Sequence, residues 1–126
     1  MIKLMQLDEF SPEQLDLMPV EGRDLLLRAT RFMYEAVGEV PYGIVGIVAA
    51  SMMAREAVVW FLPYAGIHPS KRELRAAKSF NLAEAIGYIP LADIHVDNIA
   101  AKKFAMFFGL KKQFTDGEYH RYAGES

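Results

Sequence analysis

The sequence contains no cysteine. Disulfides, thiolate metal sites and a cysteine nucleophile are therefore excluded, and a reducing compartment suits the chain. Neither sign of charge dominates: 14 Lys and Arg stand against 16 Asp and Glu, so the basic footprint of a nucleic-acid binder is missing and such a partner is not expected. No apolar run is long enough for a membrane span. The longest, Tyr42 to Ala54, falls short of the roughly 20 residues a spanning helix requires. The first residues lack a basic stretch followed by an apolar core, so no secretory leader is expected. Internal repeats and low-complexity segments are missing too. These absences lead to the expectation of a soluble, cytoplasmic protein without a metal site.

What is present is a chain of 126 residues, 52% apolar, long enough to bury a core as a single domain over 1–126. Charge is unevenly spread. Residues 1–63 carry 9 acids and 5 bases, and residues 64–126 carry 7 acids and 9 bases. An anionic ligand is expected on the second half.

Met1 to Leu7 alternates weakly and reads as a strand. Ser11-Pro12-Glu13-Gln14 is a helix start, with Ser as cap, Pro at the first helical position and Gln three residues on. That helix is expected to stop near Pro19. A second begins around Glu21 to Arg23, with Leu25, Ala29, Phe32, Met33, Ala36 and Val37 as its apolar stripe, and ends at Gly38 and Pro41. Tyr34 and Glu35 on it could line a pocket. Tyr42 to Met53 reads as a buried strand covered on both faces, Ala54-Arg55-Glu56 as a turn, and Ala57 to Ile67 as the strongest strand, with Val58, Val59, Trp60 and Phe61. Pro63 cannot donate to a ladder and marks a bulge, a bend or an edge. If two strands splay there, unpaired backbone groups face a crevice.

Ser70 to Ala85 reads as helix, with Lys71, Arg75 and Lys78 on one face and Arg72 in the first turn; such a cluster near free helix amides suits an anion such as phosphate, or is a solvated face. Ile89 to Asp97 alternates between apolar Ala92, Ile94, Val96 and polar Asp93, His95, Asp97. Asn98 can cap a following helix, whose apolar face is Ala101, Phe104, Ala105 and Phe108, and Gly109 fits its left-handed stop. Gln113 to Ala123 closes the chain as a hairpin about Asp116-Gly117. Strands alternating with helices, then a terminal β element, indicate α/β or α+β with a mixed sheet.

This order resembles the GNAT fold of the acetyl-CoA-dependent N-acetyltransferases. The late helix carries the likeness: Asn98, Ala101, Phe104, Ala105, Gly109 and Leu110 fall at the family's spacing, with Ala105 where the family has a tyrosine that often protonates the departing thiolate. His68 to Ala77 is similar to the family's pyrophosphate loop. Arg72 and Ala77 match its pattern, while Arg75 and Glu73 replace glycines. The Trp60-Phe61 strand, the basic stretch Lys71 to Lys78 and the ending Asn98, Gly109, Tyr119 look like the small acetyltransferase-like proteins of short-tailed bacteriophages, found in the host cytoplasm or the virion.

The resemblance implies a central twisted mixed sheet flanked by helices, a CoA thioester as acetyl donor and an amine acceptor. Cofactor contacts would come from the splayed strand at Phe61 and Leu62, from Arg72, Arg75 and Ala77, and from Asn98. Glu56, His95 or Asp97 would serve as base, and Tyr64, Tyr88 or Tyr119 as acid. The alternative is a catalytically degenerate interaction protein on the same fold, with Met52, Met53, Phe107 or Phe108 packing against a protein partner.

Overall fold

The computed structural model describes residues 2–17 and 23–124. Its elements are β1 (Lys3–Leu7), α1 (Pro12–Leu17), α2 (Arg23–Ala29), β2 (Phe32–Val37), β3 (Pro41–Ser51), β4 (Glu56–Pro63), α3 (Lys71–Ala77), α4 (Leu82–Ile86), β5 (Ile89–His95), α5 (Ile99–Phe107), β6 (Lys111–Asp116) and β7 (Tyr119–Ala123). The strands form one mixed sheet in the order β1-β2-β3-β4-β5-β7-β6. Neighbours are antiparallel except β4 and β5, which run parallel. This is the mixed, helix-flanked sheet expected from the sequence.

Alternation along the strands sorts the side chains onto two faces. On one, Val45, Val59, Phe61, Ala92, Ile94 and Tyr122 meet α3, α4 and α5 through Ala77, Leu82, Ile86, Phe104, Ala105 and Phe108. On the other, Ile44, Trp60, Leu62 and Tyr64 meet α1 and α2 through Leu15 and Leu27. β6 exposes all six of its residues, beginning with Lys111 and Lys112.

The late helix forms as its residues dictate. Asn98 Oδ1 accepts from the Ala101 amide at 3.1 Å, and Gly109 adopts φ 83° just past the helix end. Its buried face is aromatic. Phe104 lies 5.8 Å from Phe61 edge to face, and Phe108 stacks on the same ring at 6.0 Å, separations at which ring quadrupoles attract. Phe108 is thus core and not part of a docking patch, while Met52 and Met53 stand exposed at the β3–β4 turn.

Two helix expectations are corrected. The second helix does not run on to Val37. It ends at Ala29, and Phe32–Val37 is β2, paired on both sides with β1 and β3. Met33, Ala36 and Val37 satisfy helical spacing, but the ladder to two neighbouring strands wins over that local pattern. The expected helix from Ser70 to Ala85 is broken in two, because Asn81 turns its side chain onto the Glu84 amide and caps a new helix. The stop near Pro19 and the start at Glu21 lie outside the described residues.

Gly46 faces Trp60 across β3 and β4. A Cβ at Gly46 would lie 2.1 Å from the indole ring, which is itself fixed by Nε1 donating to Thr30 Oγ1 at 2.7 Å. Gly46→Ala is therefore expected to cost about 1–3 kcal/mol through overpacking. Trp60 is the sole tryptophan, so its fluorescence in a urea titration reads the loss. An unchanged midpoint would show that the indole is not held over Gly46.

Candidate active site

The site begins where β4 and β5 part. Their parallel pairing covers three residue pairs, Glu56 with Ile89, Ala57 with Pro90 and Val58 with Leu91. Beyond Val58, β4 continues to Pro63 paired only with β3, and β5 turns its pairing to β7. The parting predicted from Pro63 thus starts five residues earlier. The Tyr64 amide donates to Tyr42 O on the β3 side. By alternation Leu62 also bonds toward β3, whereas Phe61 and Pro63 turn their backbones to the open side. Proline supplies no donor there, so Phe61 presents the free N–H.

A cleft of about 610 Å³ fills the parting. Phe61 to Tyr64 form one wall, the connection from Ala65 to Pro69 its rim, and Asn98, Lys103, Phe104 and Phe107 of the α5 segment the other wall. Its floor depends on Gly43, opposite Pro63, where a Cβ would lie 2.7 Å from the Phe104 ring. α3 contributes only Leu74 to the lining, so this helix does not close the mouth.

Two phenols line the cleft, each bonded to a carboxylate. Tyr64 Oη donates to Glu35 Oε2 at 2.5 Å. Burial first, and then Glu35, hold its pKa well above the usual phenol range. Tyr42 is pushed up in the same way by burial and by Glu73. Glu73 is 1% exposed, and its carboxylate accepts from the Glu39 amide. It therefore turns inward instead of toward a ligand at the α3 surface.

The remaining candidates fall into three places. His95, Asp97 and Tyr119 come together. The Asp97 amide donates to His95 Nδ1 at 3.1 Å, Tyr119 meets the imidazole edge to face at 5.5 Å, and Glu118 Oε2 lies 3.6 Å from His95 Nε2. Leu62 and His95 each lie four residues beyond the Val58–Leu91 pair, on strands that have parted by then, and Leu62 but not His95 lines the cleft. Glu56 is elsewhere. It opens β4 at the paired end, six residues before Leu62, or roughly 20 Å at strand rise. Its neighbourhood is the Asp93–Arg121 pair, in which Nε and Nη2 of the guanidinium donate to the two carboxylate oxygens at 2.6 and 2.9 Å. Asp93 holds Arg121 above its ordinary range, with Glu56 and Asp116 adding to it. Arg72 and Arg75 are exposed and Ala77 buried, all three within α3; the residues that resemble the pyrophosphate loop lie in a helix. Ala105 is fully buried and faces the core.

Sequence reading offered Glu35 as a pocket-lining residue of a helix, because β2 was taken for helix. Read as a strand, Phe32 to Val37 would have put Glu35 on the same face as Met33, toward α1. Among the described residues, no group of three or more His, Asp or Glu side chains is placed to hold a metal ion, and no helix is long and apolar enough to cross a membrane.

No family model matches the sequence, and no curated protein does. Solved structures match over the whole chain. The N-acetyltransferase PseH of Campylobacter jejuni, in complex with acetyl coenzyme A, aligns over 100% of both chains at 12% identity with a TM-score of 0.61. The chain has the GNAT fold. A Bacillus subtilis acetyltransferase in complex with CoA aligns over 100% of this chain and 99% of its own, at 13% identity and a TM-score of 0.59. A GNAT family acetyltransferase of Elizabethkingia anophelis with acetyl-CoA bound covers 99% and 98%, at 11% identity and 0.57. The likeness is one of backbone architecture, in which a mixed sheet opens between its two parallel strands.

The elevated Tyr64 phenol has a consequence for stability. Its folded pKa lies above the unfolded value of about 10, so its contribution is complete below pH 10 and declines as pH rises toward the folded value, where the unfolded chain binds fewer protons. Between pH 9 and pH 11 the wild type should lose more unfolding free energy than Tyr64→Phe, measured by denaturant titration at each pH. Equal losses would remove the Tyr64–Glu35 bond from the account.

Proposed function

We propose that this chain is an N-acetyltransferase that uses acetyl-CoA and acts on an amine. The observation that carries the reading is the open cleft between β4 and β5, with the unpaired Phe61 backbone on its wall. Its size and apolar lining suit an extended thioester arm. The Phe61 N–H is placed to donate to an amide of that arm or to the carbonyl that must be polarised. Asn98 lines the cleft and can donate its amide N–H there while its oxygen caps α5. The exposed Lys71, Arg72 and Arg75 of α3 supply positive charge beside the cleft for a diphosphate. Acetyl-CoA supplies the activated acetyl group.

His95, Asp97 and Tyr119 stand at the end of β5, across the parting from Leu62, as the polar group that receives the acceptor amine. Glu56, at the paired end of the seam, takes no part. The narrower reading, a place beside the acetyltransferase-like proteins of short-tailed phages, is supported by the Trp60-Phe61 strand and the basic Lys71 to Lys78 stretch of the sequence.

Calorimetric titration with acetyl-CoA and CoA tests the reading. At a hundredfold excess over the dissociation constant, ligand should raise unfolding free energy by about 2.7 kcal/mol. Arg72→Ala should weaken binding several-fold, and Arg75→Gly should tighten it by opening the backbone to the diphosphate. Absence of binding at millimolar CoA would sink the transferase function. Equal weakening by both substitutions would remove α3 from the diphosphate site.

A further inference from the structure

A network that the family's motifs do not supply runs from the cleft wall to the start of α1. Tyr64 lines the cleft and donates to Glu35 Oε2 at 2.5 Å. The same oxygen accepts from Gln14 Nε2 at 2.7 Å. Gln14 has no freedom to turn away. Its Oε1 accepts from the Ser11 amide at 2.9 Å and its own amide donates to Ser11 Oγ at 3.2 Å, which closes the capping box at the start of α1. The helix cap therefore fixes which end of the Gln14 amide faces β2, and that end is the donor. Glu35 is partly buried, on the face that carries Leu62 and Tyr64. β2–β3 and β3–β4 register sets Glu35, Ile44 and Leu62 in one row. Tyr64 thus joins the cleft wall to the partly buried carboxylate of β2.

We infer that Tyr64 is a catalytic residue and that it and Glu35 form a proton relay for acetyl transfer, with Gln14 as a positioning residue. The inference rests on the transferase reading. An amine arriving unprotonated bonds through nitrogen to the acetyl carbon. The proton that nitrogen sheds passes to Tyr64 Oη while the phenol proton passes to Glu35 Oε2. The carbon–sulfur bond breaks, and the reverse shift returns one proton through Tyr64 to the sulfur. Amine and thioester become amide and thiol, with Tyr64 and Glu35 restored. The relay provides from the end of β4 the hydroxyl that Ala105 lacks on α5. Gln14 matters because its donated bond keeps Glu35 aimed at Tyr64.

The test uses the whole chain with Glu35→Gln, Tyr64→Phe and Gln14→Ala. Each should bind acetyl-CoA within about twofold of wild type. Glu35→Gln and Tyr64→Phe should lower kcat about 10²–10⁴-fold, the range of positioned acid–base groups, and Gln14→Ala should lower it less. A readout independent of turnover is the ultraviolet titration of the tyrosines: in Glu35→Gln one phenol should ionise at lower pH than in wild type, and the same phenol should vanish from the titration of Tyr64→Phe. Thermal melts of the Gln variant, which is isosteric, confirm that it folds. Full turnover in Glu35→Gln with acetyl-CoA bound would overturn the relay and leave the transferase standing. Unaltered phenol titration in that variant would overturn the coupling itself. A wild-type chain that binds no CoA would overturn both.

Discussion

β4 and β5 share only three residue pairs, and the functional geometry follows from that brevity. A parallel pair held over its full length would satisfy the backbone of Phe61 and leave no cleft. Here β5 stays paired with β7 along its other edge, while the edges that β4 and β5 turn toward one another are left without strand partners beyond Val58 and Leu91. The aromatic face of α5 covers the gap. Phe104 and Phe108 pack on Phe61, and the void left beside them is lined largely by ring and aliphatic carbon. The unsatisfied amide and the apolar wall are thus two products of one event, the parting of two strands.

Much of the fold could be read from the chain because its signals are local. Asn98, the stripe Ala101, Phe104, Ala105, Phe108, and Gly109 each specify α5 within a dozen residues, and α5 forms as they require. The Asp116-Gly117 turn and the Ser11–Gln14 cap are equally self-contained. β2 was hidden for the opposite reason. Its apolar residues fit a helix as well as a strand, and only the β1 and β3 ladders, supplied from elsewhere in the chain, decide between them.

The site was less legible than the fold. His95, Asp97 and Tyr119 were named from alternation and a hairpin, and pairing of β5 with β7 brings them together. Glu56 was named from its place at a strand start, and it lies at the paired end of β4, away from the cleft. Arg72 and Ala77 match a loop motif by spacing, yet they lie in a helix, which the stretch from Ser70 also signals. Tyr64 and Glu35 are 29 residues apart and meet only because the β2–β3–β4 register aligns them. No local pattern encodes such a meeting.

The outermost strand has a bearing on life at high concentration. β6 leaves one side of its backbone without a strand neighbour, the kind of edge onto which another chain can add. It opens with Lys111 and Lys112, and none of its residues is buried. A second molecule laid edge to edge would have to strip water from those ammonium groups. The sheet therefore ends in a charged edge, a built-in deterrent to fibrous growth.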